Sequence, residues 1–318
     1  MILRFGYVST ALNLWESTPA HTLTFTNWKK LDKNDRKEKL LRVTAKNIEN
    51  TKRAVYYNIA QGIHVYRLSS SIVPLATHPE VLWDYITPFR DKFKEIGELI
   101  QKYSMRVSFH PNQYTLFTSP NNRVTENAIR DMEYHYEMLK MMGVHKQANM
   151  NIHVGGVYGD KSTAIERFHE NIEKLDRTIK HQITLENDDK TYTSRETLDV
   201  CKAHSLPFVF DYHHHWANPG EDKVDELLPE IFSTWDKVDY PPKFHLSSPK
   251  TDKEYRAHAE YVDIQFALPF IKSLIQYGED ADIMIEAKRK DKAALQLVEE
   301  LASIRGFKRI DGAVIKIK

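Results

Sequence analysis

Six short apolar runs in this chain each end on a residue able to bind a metal ion: "VSFH" at His110, "NIH" at His153, "TLE" at Glu186, "FVFD" at Asp211, "KFH" at His245 and "IMIE" at Glu286. Within each run polar and apolar residues alternate, and a period of two sends the terminal polar residue and its i−2 neighbour to one face of a strand. One such histidine or glutamate is usually an ordinary structural or rim residue. Six that converge are another matter, because three carboxylates gathered in a low-dielectric cleft repel one another unless a cation sits among them. Cys201 is the only cysteine, so thiolate ligation is excluded. A set of imidazoles and carboxylates suits Zn²⁺, Mn²⁺ or Fe²⁺.

The stretch "FDYHHHWANP" (210–219) adds to this set. Asp211 and His214 are three residues apart, so a turn after the strand lets both face one ion, while His213 and His215 point elsewhere, toward a supporting role or a phosphate. His258, placed near the start of the following helix, offers a further imidazole. Lys243 lies two residues before His245 and shares its face of the strand. It is either a rim lysine that snorkels to water or a desolvated amine that takes up carbon dioxide to become an anionic carbamate ligand.

Eight β-like runs must position these residues: 2–8, 63–69, 105–110, 148–154, 182–187, 207–212, 243–247 and 282–287. Amphipathic stretches separate them: a first helix near 42–61, then 79–103, 124–142, 164–180, 194–203, 224–235, 255–277 and 290–304. Eight βα units in alternation predict an α/β fold, a single-domain TIM-like (β/α)8 barrel over residues 1–305 with a tail at 306–318. Strand C-termini form the mouth of such a barrel, where the six residues would meet. Residues 9–39 form a long connection expected to lie over that mouth, and the tail is expected to be a short hairpin or disordered.

Composition narrows the class. No apolar run approaches the length of a membrane span, the N-terminus lacks a secretory pattern, and a lone cysteine suits a reducing compartment, so a soluble cytoplasmic protein with no membrane contact is expected. A formal net charge of +1 does not advertise nucleic-acid binding.

Taken in order, "RLSSS" (67–71), "RVSFHPNQY" (106–114), "NIHVGG" (151–156), "TLEND" (184–188), "FDYHHH" (210–215), "KFHLSS" (243–248) and "IMIEAK" (283–288) resemble the ultraviolet damage endonucleases, relatives of the three-metal barrel enzyme endonuclease IV. The resemblance covers nearly the whole chain. It implies metal ligation by His110, His153, Glu186, Asp211, His214, His245, His258 and Glu286, with three ions, Mn²⁺ foremost and Zn²⁺ or Mg²⁺ as alternatives. Where endonuclease IV has an aspartate ligand two residues before its last histidine, this chain has Arg256, which strengthens the reading of Lys243 as an N6-carboxylated ligand. The resemblance further implies that Gln113 and Tyr114 probe the lesion, that Tyr7 and Asn13 line the DNA cleft, and that Glu186, Glu286 and Lys243 carry the catalysis.

The activity so implied is a metal-dependent nick immediately 5′ of a cyclobutane pyrimidine dimer or 6-4 photoproduct in double-stranded DNA, leaving a 3′ hydroxyl and a 5′ phosphate, with abasic sites as a secondary substrate and no obligate protein partner. Lys288, Arg289, Lys290, Arg123 and Lys250 follow strands or lie in loops on the mouth side and are candidate phosphate contacts. The rival enzyme is a metal-dependent sugar isomerase or epimerase on a related barrel. An amidohydrolase is disfavoured because the first strand lacks a His-x-His pair, and a damage-recognising module without activity would not need so many ligands.

Overall fold

The computed structural model describes residues 1–318. Eight parallel strands, β1 (Ile2–Val8), β2 (Val65–Arg67), β3 (Arg106–Phe109), β4 (Asn149–His153), β5 (Ile183–Glu186), β6 (Phe208–Asp211), β7 (Lys243–Leu246) and β8 (Ala281–Ile285), pair in sequence order, and β1 closes the circle by pairing with both β8 and β2. This is the (β/α)8 barrel that the alternation predicts.

The strands are apolar outside and polar within. Phe208 and Phe210 face the helices, where Phe210 packs near Phe270 and Trp235 donates its indole N–H to the Phe208 carbonyl. On the inner face of the same barrel, Asp282 accepts from Arg4 and Arg106 and is completely buried, which offsets part of their charge at the bottom of the barrel. A buried carboxylate of this kind holds because it is paired. The seam between β1 and β2 is very close: a Cβ on Gly6 would stand 2.2 Å from the Val65 carbonyl oxygen.

The tail is an ordered hairpin. β9 (Phe307–Asp311) and β10 (Val314–Ile317) are antiparallel, and β10 pairs with β1 over Ile2–Arg4. The reason lies in strand length. The short β2 meets β1 only at Gly6–Val8, so the first half of that β1 edge would carry unpaired backbone groups, and β10 satisfies them.

Three helix boundaries differ from expectation. The first long helix runs over Lys33–Ala60, nine residues longer at its start than the apolar pattern indicates, and a short helix at Phe25–Lys29 precedes it. The third-strand-facing helix begins only at Ile86, and that before β8 begins at Ile264, so His258 sits in a connecting loop, in an isolated bridge to Pro249. The segment 9–24 is pinned to the barrel: Leu12 and Asn13 donate their backbone N–H groups to the buried Asp291, and Asn47 brackets the His21 backbone. No helix is long and apolar enough to cross a membrane.

Candidate metal centre

Alternation along the strands brings His110, His153, Glu186, Asp211, His245 and Glu286 together at the C-terminal mouth. Their ligand-capable atoms form two groups, each with every member within 4.8 Å of the others: His110, His153 and Glu186; and Glu186, Asp211, His245 and Glu286. Glu186 belongs to both. It is 1% exposed, and its two oxygens divide the work: Oε2 stands 3.1 Å from His110 Nε2, while Oε1 stands 3.1 Å from His245 Nδ1.

Four histidines are oriented by one device. His110 Nδ1 lies 2.9 Å from the Pro111 carbonyl, His153 Nδ1 3.3 Å from that of Glu186, His214 Nδ1 3.0 Å from that of Asn187, and His258 Nδ1 2.9 Å from that of Glu286. A carbonyl oxygen can only accept, so each Nδ1 donates, which fixes the ring orientation and aims Nε2 away from that carbonyl. His214 and His258 stand beside the two groups, with ring centroids 6.0 Å apart.

"YHHHWA" (212–217) is a short helix, capped by Asp211, whose Oδ1 accepts the His214 N–H at 2.7 Å. His213 instead contacts the Tyr255 carbonyl at 2.7 Å and His215 the Ser194 hydroxyl at 2.9 Å. Both therefore turn away from the cluster.

The electrostatics are tight. Burial works against ionisation of Glu186, yet His245, His153 and His110 hold its carboxyl well below the usual range; for Glu286, Arg67 and His245 overcome burial in the same way. Conversely, burial opposes a proton on His245, but Glu186 and Glu286 push its pKa up to about 9, and Asp211, Glu186 and Glu286 do the same for His214.

The donor set fits a divalent cation. Glu186 Oε1, Asp211 Oδ2 and both ring nitrogens of His245 are buried without a hydrogen-bond partner. His245 Nδ1 is 3.0 Å from Glu286 and 3.1 Å from Glu186, yet neither contact has hydrogen-bond alignment. Buried polar atoms left in this state are costly, and a cation among them would satisfy the two carboxylate oxygens and one nitrogen of His245 at once.

Lys243 is 1% exposed, on the barrel interior between the Arg4–Asp282–Arg106 cluster and the ligand groups. It is no rim residue. Burial, then Arg106 and Arg67, push its amine well below the ordinary lysine range.

Of the residues expected at the DNA cleft, Gln113 and Tyr114 stand exposed on the loop after β3, Tyr114 being 71% exposed, with the Tyr114 N–H held by Asn112. Asn13 is exposed, its amide donating to Tyr57 at 2.9 Å. Tyr7 is not in an open cleft: it is fully buried, and its hydroxyl donates to Asn58 of the long helix at 2.8 Å. The same period of two that turns Arg4 inward turns Tyr7 outward, into the helix layer. Among the basic candidates, Arg289 pairs with Glu260, Lys250 with Glu254, and Lys290 reaches the Val8 carbonyl, which leaves Arg123 and Lys288 exposed and unpaired.

Two contributors went unnoticed in the sequence. Arg67, at the end of β2, pairs with Glu286, and Asn151 donates to Glu186 while accepting from Thr184 at 2.8 Å. Both lie on the inner face by the rule that exposed the ligands.

Residues 3–318 match the family described as UV-endonuclease UvdE. The chain belongs to that family. It is 54% identical to a UV DNA damage endonuclease of Bacillus velezensis and 57% identical to one of Bacillus pumilus, in each case over the full length of both chains. The crystal structure of SacUVDE superposes with a TM-score of 0.84 at 27% identity, covering 95% of this chain and all of the other. A D-psicose 3-epimerase of Clostridium cellulolyticum, with a TM-score of 0.50 at 13% identity over 79% of this chain and 87% of its own, shares the fold alone.

Proposed function

We propose that this member of the UvdE family is a cation-dependent endonuclease that nicks DNA immediately 5′ of cyclobutane dimers and 6-4 photoproducts, with abasic sites as a secondary substrate. The observation that carries the cation requirement is Glu186, shared by two groups of ligand-capable atoms that include buried, unpartnered ones. The lesion specificity is supported by the full-length relatives named for it. The epimerase reading has only a distant likeness of fold.

His110, His153, Glu186, Asp211, His214, His245, His258 and Glu286 would hold the ions, Mn²⁺ foremost. Bound divalent ions would supply an activated water at neutral pH and charge stabilisation for the leaving 3′ oxygen. The chain's own residues prepare that reaction. Backbone carbonyls fix the imidazole orientations, Asn151 orients Glu186, and Arg67 places a cation beside Glu286 where a scissile phosphate would enter. Gln113 and Tyr114, on an exposed loop tip, would enter the duplex and occupy the space left by two displaced bases, a step that costs less at a damaged site.

Lys243 is proposed as a carbamate. Its uncharged amine would form an N–C bond to carbon dioxide and release one proton, adding an anion beneath the ligand groups. Native mass spectrometry should show a mass gain of one carbon dioxide that Lys243→Ala abolishes and Lys250→Ala retains.

The decisive experiment is a duplex with one cyclobutane dimer, incubated with and without Mn²⁺ and mapped on a sequencing gel. A Mn²⁺-dependent nick directly 5′ of the dimer, absent from undamaged duplex and from Glu286→Gln, is the expected result. Absence of a nick with every divalent ion tried would overturn the proposal.

A further inference from the structure

The helix Lys33–Ala60 has 28 residues, against 17 in Ile86–Lys102 and 14 in Ile264–Tyr277. Its C-terminus lies four residues ahead of β2, close to the three-residue spacing of those two helices from their own strands. The extra length therefore sits at the other end, beside the mouth. Ten extra residues correspond to roughly 15 Å of helix.

That end is strongly basic. Between Lys29 and Arg42 the chain carries seven Lys or Arg and three Asp or Glu, a net +4 in a protein whose total is +1. Lys33, Arg36, Lys37, Leu40 and Leu41 follow the i, i+3, i+4, i+7, i+8 pattern and so form one face. This face, with Trp28, the loop residues Val81–Asp84 and Thr87 and Pro88 of the following helix, lines a cavity of about 590 Å³. Its cationic and apolar halves are distinct. Lys33 and Lys37 are exposed and form no ion pair, whereas Arg36 is spent on the fold, stacked 4.6 Å from the Trp28 ring and donating to the Leu31 and Lys29 carbonyls. Leu82 is 69% exposed, held at a φ of 34° that a leucine adopts only under constraint. Trp83 donates its N–H to Pro74, but the buried Trp28 Nε1 has no partner. Asp84 is the one acid in the lining, and it is occupied in capping Ile86 and Thr87.

We propose that this groove binds an unpaired stretch of DNA strand flanking the lesion, with phosphates on Lys33 and Lys37 and a base against Leu82 and Trp83. The inference rests on the DNA-cleaving function proposed above. Two lysines at i and i+4 match a backbone of successive phosphates, and indole and leucine surfaces match π-faces that an intact duplex keeps stacked. An acidic protein segment would satisfy the lysines but offers no flat π-face to the wall of Leu82 and Trp83.

The test titrates the whole protein, in chelator, with an oligothymidylate of eight nucleotides, reading indole quenching. Subtracting the signal of the Trp28→Phe/Trp83→Phe variant isolates the groove. The Lys33→Gln/Lys37→Gln variant should weaken this binding about tenfold and reduce the salt slope by ~1.4, the value for two single-strand phosphate contacts. Unchanged affinity and slope in the double variant, no groove-specific quenching, or equal binding of oligoglutamate would each overturn the inference. If the unaltered protein binds the oligonucleotide here but nicks no lesion duplex, the groove stands and the proposed function falls; the reverse pattern separates them the other way.

Discussion

Glu186 is shared between two groups of ligands, so replacing it acts on both at once. Glu186→Gln keeps shape and removes charge, and we expect elemental analysis to show loss of more than one equivalent of bound Mn²⁺, with nicking reduced at least ~100-fold. Asn151→Leu removes the donor that orients Glu186, together with the acceptor of the Thr184 hydroxyl. Mn²⁺ affinity should fall roughly 10- to 100-fold while the unfolding temperature without metal stays close to that of the parent; a large drop in that temperature would assign Asn151 to the core instead. Cys201 makes a contrasting case. It is buried against β5, and burial pushes its thiol up. The native protein should leave an aromatic disulfide reagent unreacted until denaturant is added. At this scale the sequence reveals a great deal, because period two alone brings the six strand-end imidazoles and carboxylates to one face. Tyr7 is read less directly: resemblance implies a place at the DNA, while the parity of Arg4 and Tyr7 on one strand turns it toward Asn58.

Among the elements, the seam between β1 and β2 leaves no room for a side chain. Gly6→Ala must push β2 away from β1, since the obstacle is backbone, and we expect a loss of about 1–3 kcal/mol in a denaturant titration, with the slope unchanged. The eight strands were legible because apolar alternation marks each of them. The start of the Lys33–Ala60 helix was not. Its first turns read "KNDRKEK", with no apolar stripe to betray a helix, and their amphipathic face becomes visible only when Trp28 and Trp83 are seen to supply the other wall. His258 was placed near a helix start because the amphipathic pattern runs through 255–277, yet the chain uses 255–263 as a loop and so can swing that imidazole beside Glu286.

Across the whole molecule, charge is distributed in layers. Arg4, Asp282 and Arg106 form a charged cluster at the floor of the barrel, Lys243 is in register with Asp282, and the carboxylates and imidazoles occupy the mouth. A ligand that binds only the folded chain stabilises it by mass action, so Mn²⁺ at 100 times its dissociation constant should add about 2.7 kcal/mol and raise the unfolding temperature, an effect that chelator reverses. Differential scanning fluorimetry with and without Mn²⁺ checks this, and an unchanged transition would count against cation binding at the mouth. A chain with a net charge of +1 conceals both this stratification and the +4 segment beside the mouth, since a sum carries no positions.

The pairing of β1 with β8 and with β10 also bears on how the protein comes into being. The first strand synthesised waits for partners some 280 to 315 residues further along, and the Ile317 N–H closes on the Met1 carbonyl. At 5–20 residues per second, translation leaves β1 without those partners for on the order of tens of seconds. During that interval the apolar strand ILRFGYV lacks the backbone pairing that β8 and β10 later give it.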